Sequence, residues 1–174
     1  MPRAFANDRH DSVQAELDVR ARVGDLPIDY DAMVAMSNIF RVATAARNHM
    51  ERTVLADAQL SWSGFTALFV LWVWGAMETN RLAHEVGITR ASLSSLMTTL
   101  EKRGLCTRSI SPADGRRVTV GPTAKGNKLM TKLFPKFNAH EALLTDSLNS
   151  TARRQLASSL RAILRTIEDV DGPN

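Results

Sequence analysis

Cysteine is almost absent from this sequence: among 174 residues only Cys106 carries a thiol. No intrachain disulfide can form, and no cysteine pair is available for a zinc site. The four histidines, His10, His49, His84 and His140, never fall at i, i+3 or i+4, so no metal or cofactor is expected. Apolar residues never run to the roughly 18 that a membrane span requires, which argues against a membrane partner. Nine glycines and six prolines are too few for a collagen-like or low-complexity chain. Also missing are a glycine-rich phosphate loop, a nucleophile elbow and paired carboxylates in a recognisable setting, so an enzyme is not expected. With no secretory pattern and an unpaired thiol, the expected compartment is the reducing cytoplasm.

What is present is enough apolar residue, 44%, for one good core, with 23% charged residues to keep it in solution. The formal charge of +4 is concentrated. Residues 77–126 hold eight Lys/Arg against four Asp/Glu, leaving fourteen of each elsewhere. A positive stretch on a neutral body is the footprint of a nucleic-acid binder, although an excess of four is a weak argument by itself.

Periodicity organises the chain into helices. Residues 1–28 form a polar N-terminal extension with a short helix from Ser12 to Val23, stopped by Gly24. From Tyr30 to about Ala56, Met33, Met36, Phe40, Ala43, Arg47, Met50 and Val54 recur at three and four, predicting one long helix with a partner-seeking seam. Ser61 can cap the next helix, whose residues from Trp62 to Met77 are so uniformly apolar that it should be surrounded on all sides. A short helix over Thr79–Val86 ends at Gly87, and Thr89 caps another running to Arg103. Leu105–Ser111 and Arg116–Val120 read as strands joined by the turn Pro112-Ala113-Asp114-Gly115. Helix returns from Thr123, bent at Pro135, and a last helix from Ser150 carries Leu156, Leu160, Ile163, Ile167 and Val170 on one stripe.

Short helix, tight turn, longer helix, basic hairpin is the order of a winged helix-turn-helix, so the fold class is mainly α with a small β-hairpin wing. In the longer helix Leu93, Leu96, Met97 and Leu100 form the buried stripe. At about 100° per residue, Ala91, Ser95, Thr98 and Lys102 lie opposite it, with Ser92, Ser94 and Thr99 on the flanks. Such small and polar groups let a helix backbone approach the major groove, where hydroxyls serve phosphates or bases and an Ala or Thr methyl meets a thymine methyl. Thr89 and Arg90, in the first turn, complete the candidate set, Arg90 having the reach for a guanine or a phosphate. Arg116 and Arg117 are either solvated strand-end charges or DNA contacts, and beside a helix-turn-helix the second reading is preferred.

At these residues the sequence resembles the MarR family of transcriptional regulators. The resemblance runs through Leu60-Ser61, Leu82-Ala83, Gly87-Ile88-Thr89-Arg90, Leu100-Glu101-Lys102-Arg103-Gly104-Leu105, Asp114-Gly115-Arg116-Arg117 and Thr123-Ala124-Lys125-Gly126. The family's Asp-x-Arg pattern falls on Asp114 and Arg116, while Pro122 stands where the family has leucine.

What the resemblance implies is a homodimer that places two recognition helices on a pseudopalindromic site in double-stranded DNA. It assigns residues 29–60 and 123–172 to a helical dimerisation lobe and 61–122 to the DNA-binding lobe. The seams at 33–54 and 156–170 support dimerisation independently, since a monomer would expose them. By the same resemblance the wing Arg enters the minor groove and Asp114, otherwise a turn former, positions it. The expected function is a sequence-specific repressor relieved by a small ligand. The alternative is a winged-helix protein-interaction or architectural module.

The family's small aromatic or phenolic anions direct attention to Arg47 and Trp72. Arg47 in its apolar seam is an interface salt bridge, a ligand anchor, or a side chain whose stem packs while its head reaches water. Trp62, Trp72 and Trp74 are core residues or pocket walls. Cys106, at the start of a strand, reads as a buried structural thiol in preference to a redox sensor.

Overall fold

A computed structural model describes residues 12–110 and 118–172. The chain divides into two compact units, Met1–His49 and Met50–Asn174. Its helices are α1 (Ser12–Val23), α2 (Tyr30–Arg52), α3 (Val54–Asp57), α4 (Trp62–Trp74), α5 (Thr79–Val86), α6 (Arg90–Lys102), α7 (Ala124–Leu144) and α8 (Ser150–Asp171). The strands are β1 (Met77–Glu78), β2 (Cys106–Ile110) and β3 (Val118–Pro122). The expected class, mainly helical with a small wing, is the one found.

In the first unit Asp29 starts α2 by accepting the amide of Ala32 at 2.9 Å. The helix α1 is fastened to it by polar contacts: Tyr30 Oη donates to the Glu16 carbonyl at 2.7 Å and Asn38 Nδ2 to Glu16 Oε1 at 2.7 Å. The Arg20 guanidinium stands 5.1 Å from the Tyr30 ring centre.

The second unit holds the core, in which Leu55, Leu68, Leu71, Leu82, Met97, Leu100, Val120 and Met130 are fully buried. Helix α4 starts where Ser61 Oγ accepts the Gly64 amide at 3.1 Å, and α7 where Thr123 Oγ1 accepts the Gly126 amide at 3.0 Å. Between these two helices lies an aromatic layer, with Phe65 stacked on Phe137 at 4.2 Å and Phe134 lying 5.2 Å from Phe69 and 5.6 Å from Trp72. Helix α7 continues through Pro135.

Three expectations are corrected. The helix from Tyr30 stops at Arg52, because Thr53 leaves helical geometry (φ −109°, ψ −89°) before the short α3; an apolar period continued across a break that periodicity does not register. The wing is a three-stranded antiparallel sheet of order β1-β3-β2. Met77 and Glu78, two residues too short to show alternation, pair with Val120 and Thr119. Finally, α4 is not covered all round: Val73 and Trp74 at its end are exposed, Trp74 at 59%. Among the described residues β2 begins at Cys106, one residue after the expected Leu105, and β3 continues past Val120 to Pro122, opposite Cys106.

Candidate nucleic-acid interface

The helix-turn-helix is set by its turn. Gly87 adopts the left-handed conformation (φ 70°, ψ 37°) that glycine tolerates without strain, and Ile88 N then donates to the Ala83 carbonyl at 3.1 Å. Thr89 follows in extended geometry, and its Oγ1 accepts the Ser92 amide at 3.2 Å while meeting Ser92 Oγ at 2.9 Å. That starts α6. Leu93, Met97 and Leu100 are buried, with Leu96 half-buried, so the expected stripe faces the core.

Arg90, Ala91, Ser92, Ser94, Ser95, Thr98 and Thr99 are all exposed, as is the capping Thr89. The structure therefore presents the sequence-predicted helix residues together on one surface. Their hydroxyls are turned onto the helix: Ser95 Oγ donates to the Ala91 carbonyl at 3.4 Å, Thr98 Oγ1 to Ser94 at 3.0 Å and Thr99 Oγ1 to Ser95 at 3.2 Å. A hydroxyl that donates in this way keeps its oxygen lone pairs as acceptors. At the N-terminal end of α6 a shallow concavity of about 590 Å³ is lined by His84, Gly87, Thr89 and Ser92. A helix N-terminus rimmed by hydroxyls has the polarity to receive a phosphate oxygen.

Side chains that sequence reasoning passed over hold this surface in place. Arg108 on β2 donates from Nη2 to the Ser94 carbonyl at 2.8 Å, and its Nε stands 3.4 Å from Glu101 Oε2. Glu101 Oε1 also accepts the Arg108 amide at 3.0 Å, so one Glu–Arg pair ties the wing strand to α6. At the far end, Arg103 reaches back to the carbonyls of Gln59 and Ala58 at 2.6 and 2.8 Å. Lys125 Nζ donates to the Arg103 carbonyl at 2.7 Å, and Thr123 Oγ1 to Gly104 at 2.6 Å. A Cβ at Gly126 would collide with the Leu105 carbonyl oxygen, which accounts for glycine there. The basic and glycine positions between Leu100 and Gly126 were visible as a pattern, but only their partners show that they position α6.

Asp114, Arg116 and Arg117 lie outside the described residues. Arg47 is exposed on α2 in the first unit, whereas Trp72 is half-buried on α4 in the second, packed on Phe69 and Phe134. Cys106 is buried with its Sγ 3.9 Å from Met97 Sδ. Burial, and secondarily the Glu101 carboxylate, push this thiol up to about 11 despite a lowering contribution from Arg108. That suits a structural thiol. Among the described residues no group of three metal-ligating side chains occurs, and no single helix is long and apolar enough to cross a membrane.

Residues 60–118 match the sequence model of the MarR family, the stretch that runs from the cap of α4 into β3. Over 151 residues the chain is 34% identical to the uncharacterized HTH-type transcriptional regulator YwaE of Bacillus subtilis, covering 85% of this chain and 88% of that one. The chain belongs to the MarR family. This makes it a DNA-binding transcriptional regulator and not an enzyme. Solved MarR-like structures share its fold. CouR, a transcriptional repressor bound to a 23-mer DNA duplex, is similar with a TM-score of 0.67 and 29% identity, over 73% of this chain and 89% of CouR. BpsR of Bordetella bronchiseptica, whose DNA binding is regulated by 6-hydroxynicotinic acid, is similar with a TM-score of 0.66 and 23% identity, over 73% and 90%.

Proposed function

We propose that this MarR-family regulator is a cytoplasmic homodimeric repressor that reads a pseudopalindromic operator and is released from it by a small aromatic or phenolic anion. The observation that carries the DNA-reading half is α6, with Leu93, Met97 and Leu100 buried and Arg90, Ala91, Ser94, Ser95 and Thr98 exposed. In this reading α6 enters the major groove, Thr89, Ser92 and Thr99 serve the flanking phosphates, and Arg116 and Arg117, oriented by Asp114, reach the minor groove. Because α6 offers no outward Asn, Gln or central Arg for a bidentate base contact, the wing carries a large share of recognition.

Dimerisation is supported by α8, which has no buried residue in the single chain although Leu156, Leu164, Ile167 and Val170 are apolar and exposed. So long an uncovered apolar face needs a partner, and a second copy supplies the same face by two-fold symmetry. We assign residues 29–60 and 123–172 to this lobe and 61–122 to DNA. Ligand relief is supported by the regulated relative BpsR and by Trp72 in its aromatic cluster, with Arg47 retained as the cationic candidate.

Selection of bound genomic fragments tests the reading. A pseudopalindrome should emerge, and log affinity for it should fall against log salt by about 0.9 per phosphate neutralised. Equal affinity for selected and random duplexes at moderate salt would reject sequence-specific regulation.

A further inference from the structure

Three carbonyls on α6 receive a side-chain hydroxyl from the next turn: Ala91 from Ser95, Ser94 from Thr98 and Ser95 from Thr99. Among the described residues only the Ser94 carbonyl also receives a charged donor, Arg108 Nη2 at 2.8 Å, against 3.0 Å for Thr98 Oγ1. In an α-helix the same oxygen is the acceptor for the Thr98 amide. Three donors therefore meet one oxygen that has two lone pairs. The guanidinium bond is charge-assisted and roughly twice as strong as a neutral one, so the Thr98 hydroxyl is the donor held most weakly. It can turn toward another acceptor while the Ser94 carbonyl stays satisfied.

The place of Arg108 is fixed from the wing. It lies on β2, an edge strand of the sheet, opposite Val120 of β3. Glu101, on the same flank of α6 as Ser94 and Thr98, holds it at two points: Oε1 accepts the Arg108 amide at 3.0 Å and Oε2 stands 3.4 Å from Nε. Their side chains are only 30% and 29% exposed, so salt screens the pair less than it would an open surface pair. Ser94 and Thr98, by contrast, are exposed.

We infer that Arg108 is a positioning residue for DNA readout: by holding the Ser94 carbonyl it leaves the Thr98 hydroxyl proton free for an acceptor on a base edge. The inference rests on the reading that α6 enters the major groove. With Arg108 in place Thr98 can donate to a base, for example to O6 of guanine or O4 of thymine. Without it Thr98 returns its proton to Ser94 and offers only an oxygen. Arg108 thus shapes base preference at one position without touching DNA.

The test compares the parent, Thr98→Val, Arg108→Met and the double variant Thr98→Val/Arg108→Met on the duplex that the parent selects and on each single base-pair substitution of it, by fluorescence anisotropy. Preference is a ratio of two affinities of one protein, so any loss of folded fraction cancels from it. Thr98→Val should lower the preference at one base pair, which marks the pair that Thr98 reads. Arg108→Met should lower the preference at that same pair by about three- to tenfold, the range of one hydrogen bond. In the Thr98→Val background Arg108→Met should change it by less than about twofold, because the hydroxyl through which it acts is gone. Preference unchanged by Arg108→Met, uniform weakening on every duplex, a shift at other base pairs instead, or the same change with and without the Thr98 hydroxyl each overturns the inference and leaves the groove reading standing. Thr98→Val with the parent's preference at every base pair also overturns it, with the rest of α6 still the reader. A parent that selects no duplex fails the groove reading itself, and the inference with it.

Discussion

Arg103 grips a residue in an unfavourable backbone conformation: its Nη1 donates to the carbonyl of Gln59 at 2.6 Å, and Gln59 has φ 51°. A left-handed non-glycine residue costs about 1–2 kcal/mol, and here the guanidinium that caps α6 bonds both Gln59 and Ala58. Removing the side chain in Arg103→Ala should lower stability by about 1–2 kcal/mol, since two charge-assisted bonds are lost at a half-buried site. Gln59→Gly should instead be neutral or stabilise by up to about 1 kcal/mol, the relief of strain being partly offset by the greater freedom of glycine in the unfolded chain. Urea unfolding of the two variants measures both. A Gln59→Gly protein less stable than its parent would show that the side chain matters more than the strain.

Gly126 carries a second stability prediction. With no room for a Cβ against the Leu105 carbonyl, Gly126→Ala must push the start of α7 away from the Gly104–Leu105 segment. The expected cost is on the order of 1–3 kcal/mol in thermal or urea unfolding, accompanied by weaker DNA binding because the same segment ends α6.

Cys106 sets a pH dependence. Its thiol is raised from 9.0 to about 11 in the folded chain, so between those values the folded state holds a proton that the unfolded state has lost. Stability contributed by the neutral thiol is complete below pH 9.0 and is lost as pH rises toward 11, at a limiting slope of about 1.4 kcal/mol per pH unit. Comparing unfolding of the parent with Cys106→Ala across that window isolates the contribution of this thiol. Thiol reagents at neutral pH should label Cys106 only as fast as the chain opens.

Arg116→Ala should weaken operator binding by about 1–3 kcal/mol and leave folding and dimerisation unchanged. The loss should be largest where A·T pairs narrow the flanking minor groove and deepen its negative potential. Ser95→Ala should shift base preference in the major groove with a smaller change in salt slope. If Arg116→Ala binds as tightly as the parent while Ser95→Ala abolishes binding, the shares given to wing and helix are reversed.

Ile167→Asp on α8 places a carboxylate in the proposed dimer seam, where burial of an unpaired charge is unfavourable by several kcal/mol. Sedimentation should show dissociation at concentrations where the parent is dimeric. A parent chain that is a stable folded monomer at micromolar concentration would remove the basis of the prediction.

Much of this molecule follows from chemistry that is local in the chain. Gly87 and Thr89 specify the turn and the cap of α6 because a left-handed residue and a side-chain acceptor are needed at those places, and both requirements are local. The stripe Leu93, Met97 and Leu100 likewise separates the buried and the exposed sides of α6 by period alone. Tertiary structure decided what depends on residues distant in the chain: the pairing of Met77 with Val120, the break at Thr53, and the bonds of Arg103 to Ala58 and Gln59 and of Arg108 to Ser94 and Glu101. A basic residue in a sequence announces only its charge. Which carbonyl or carboxylate it meets is a matter of how the helices pack, and that packing turns Arg103 and Arg108 into supports for α6 instead of free surface charge.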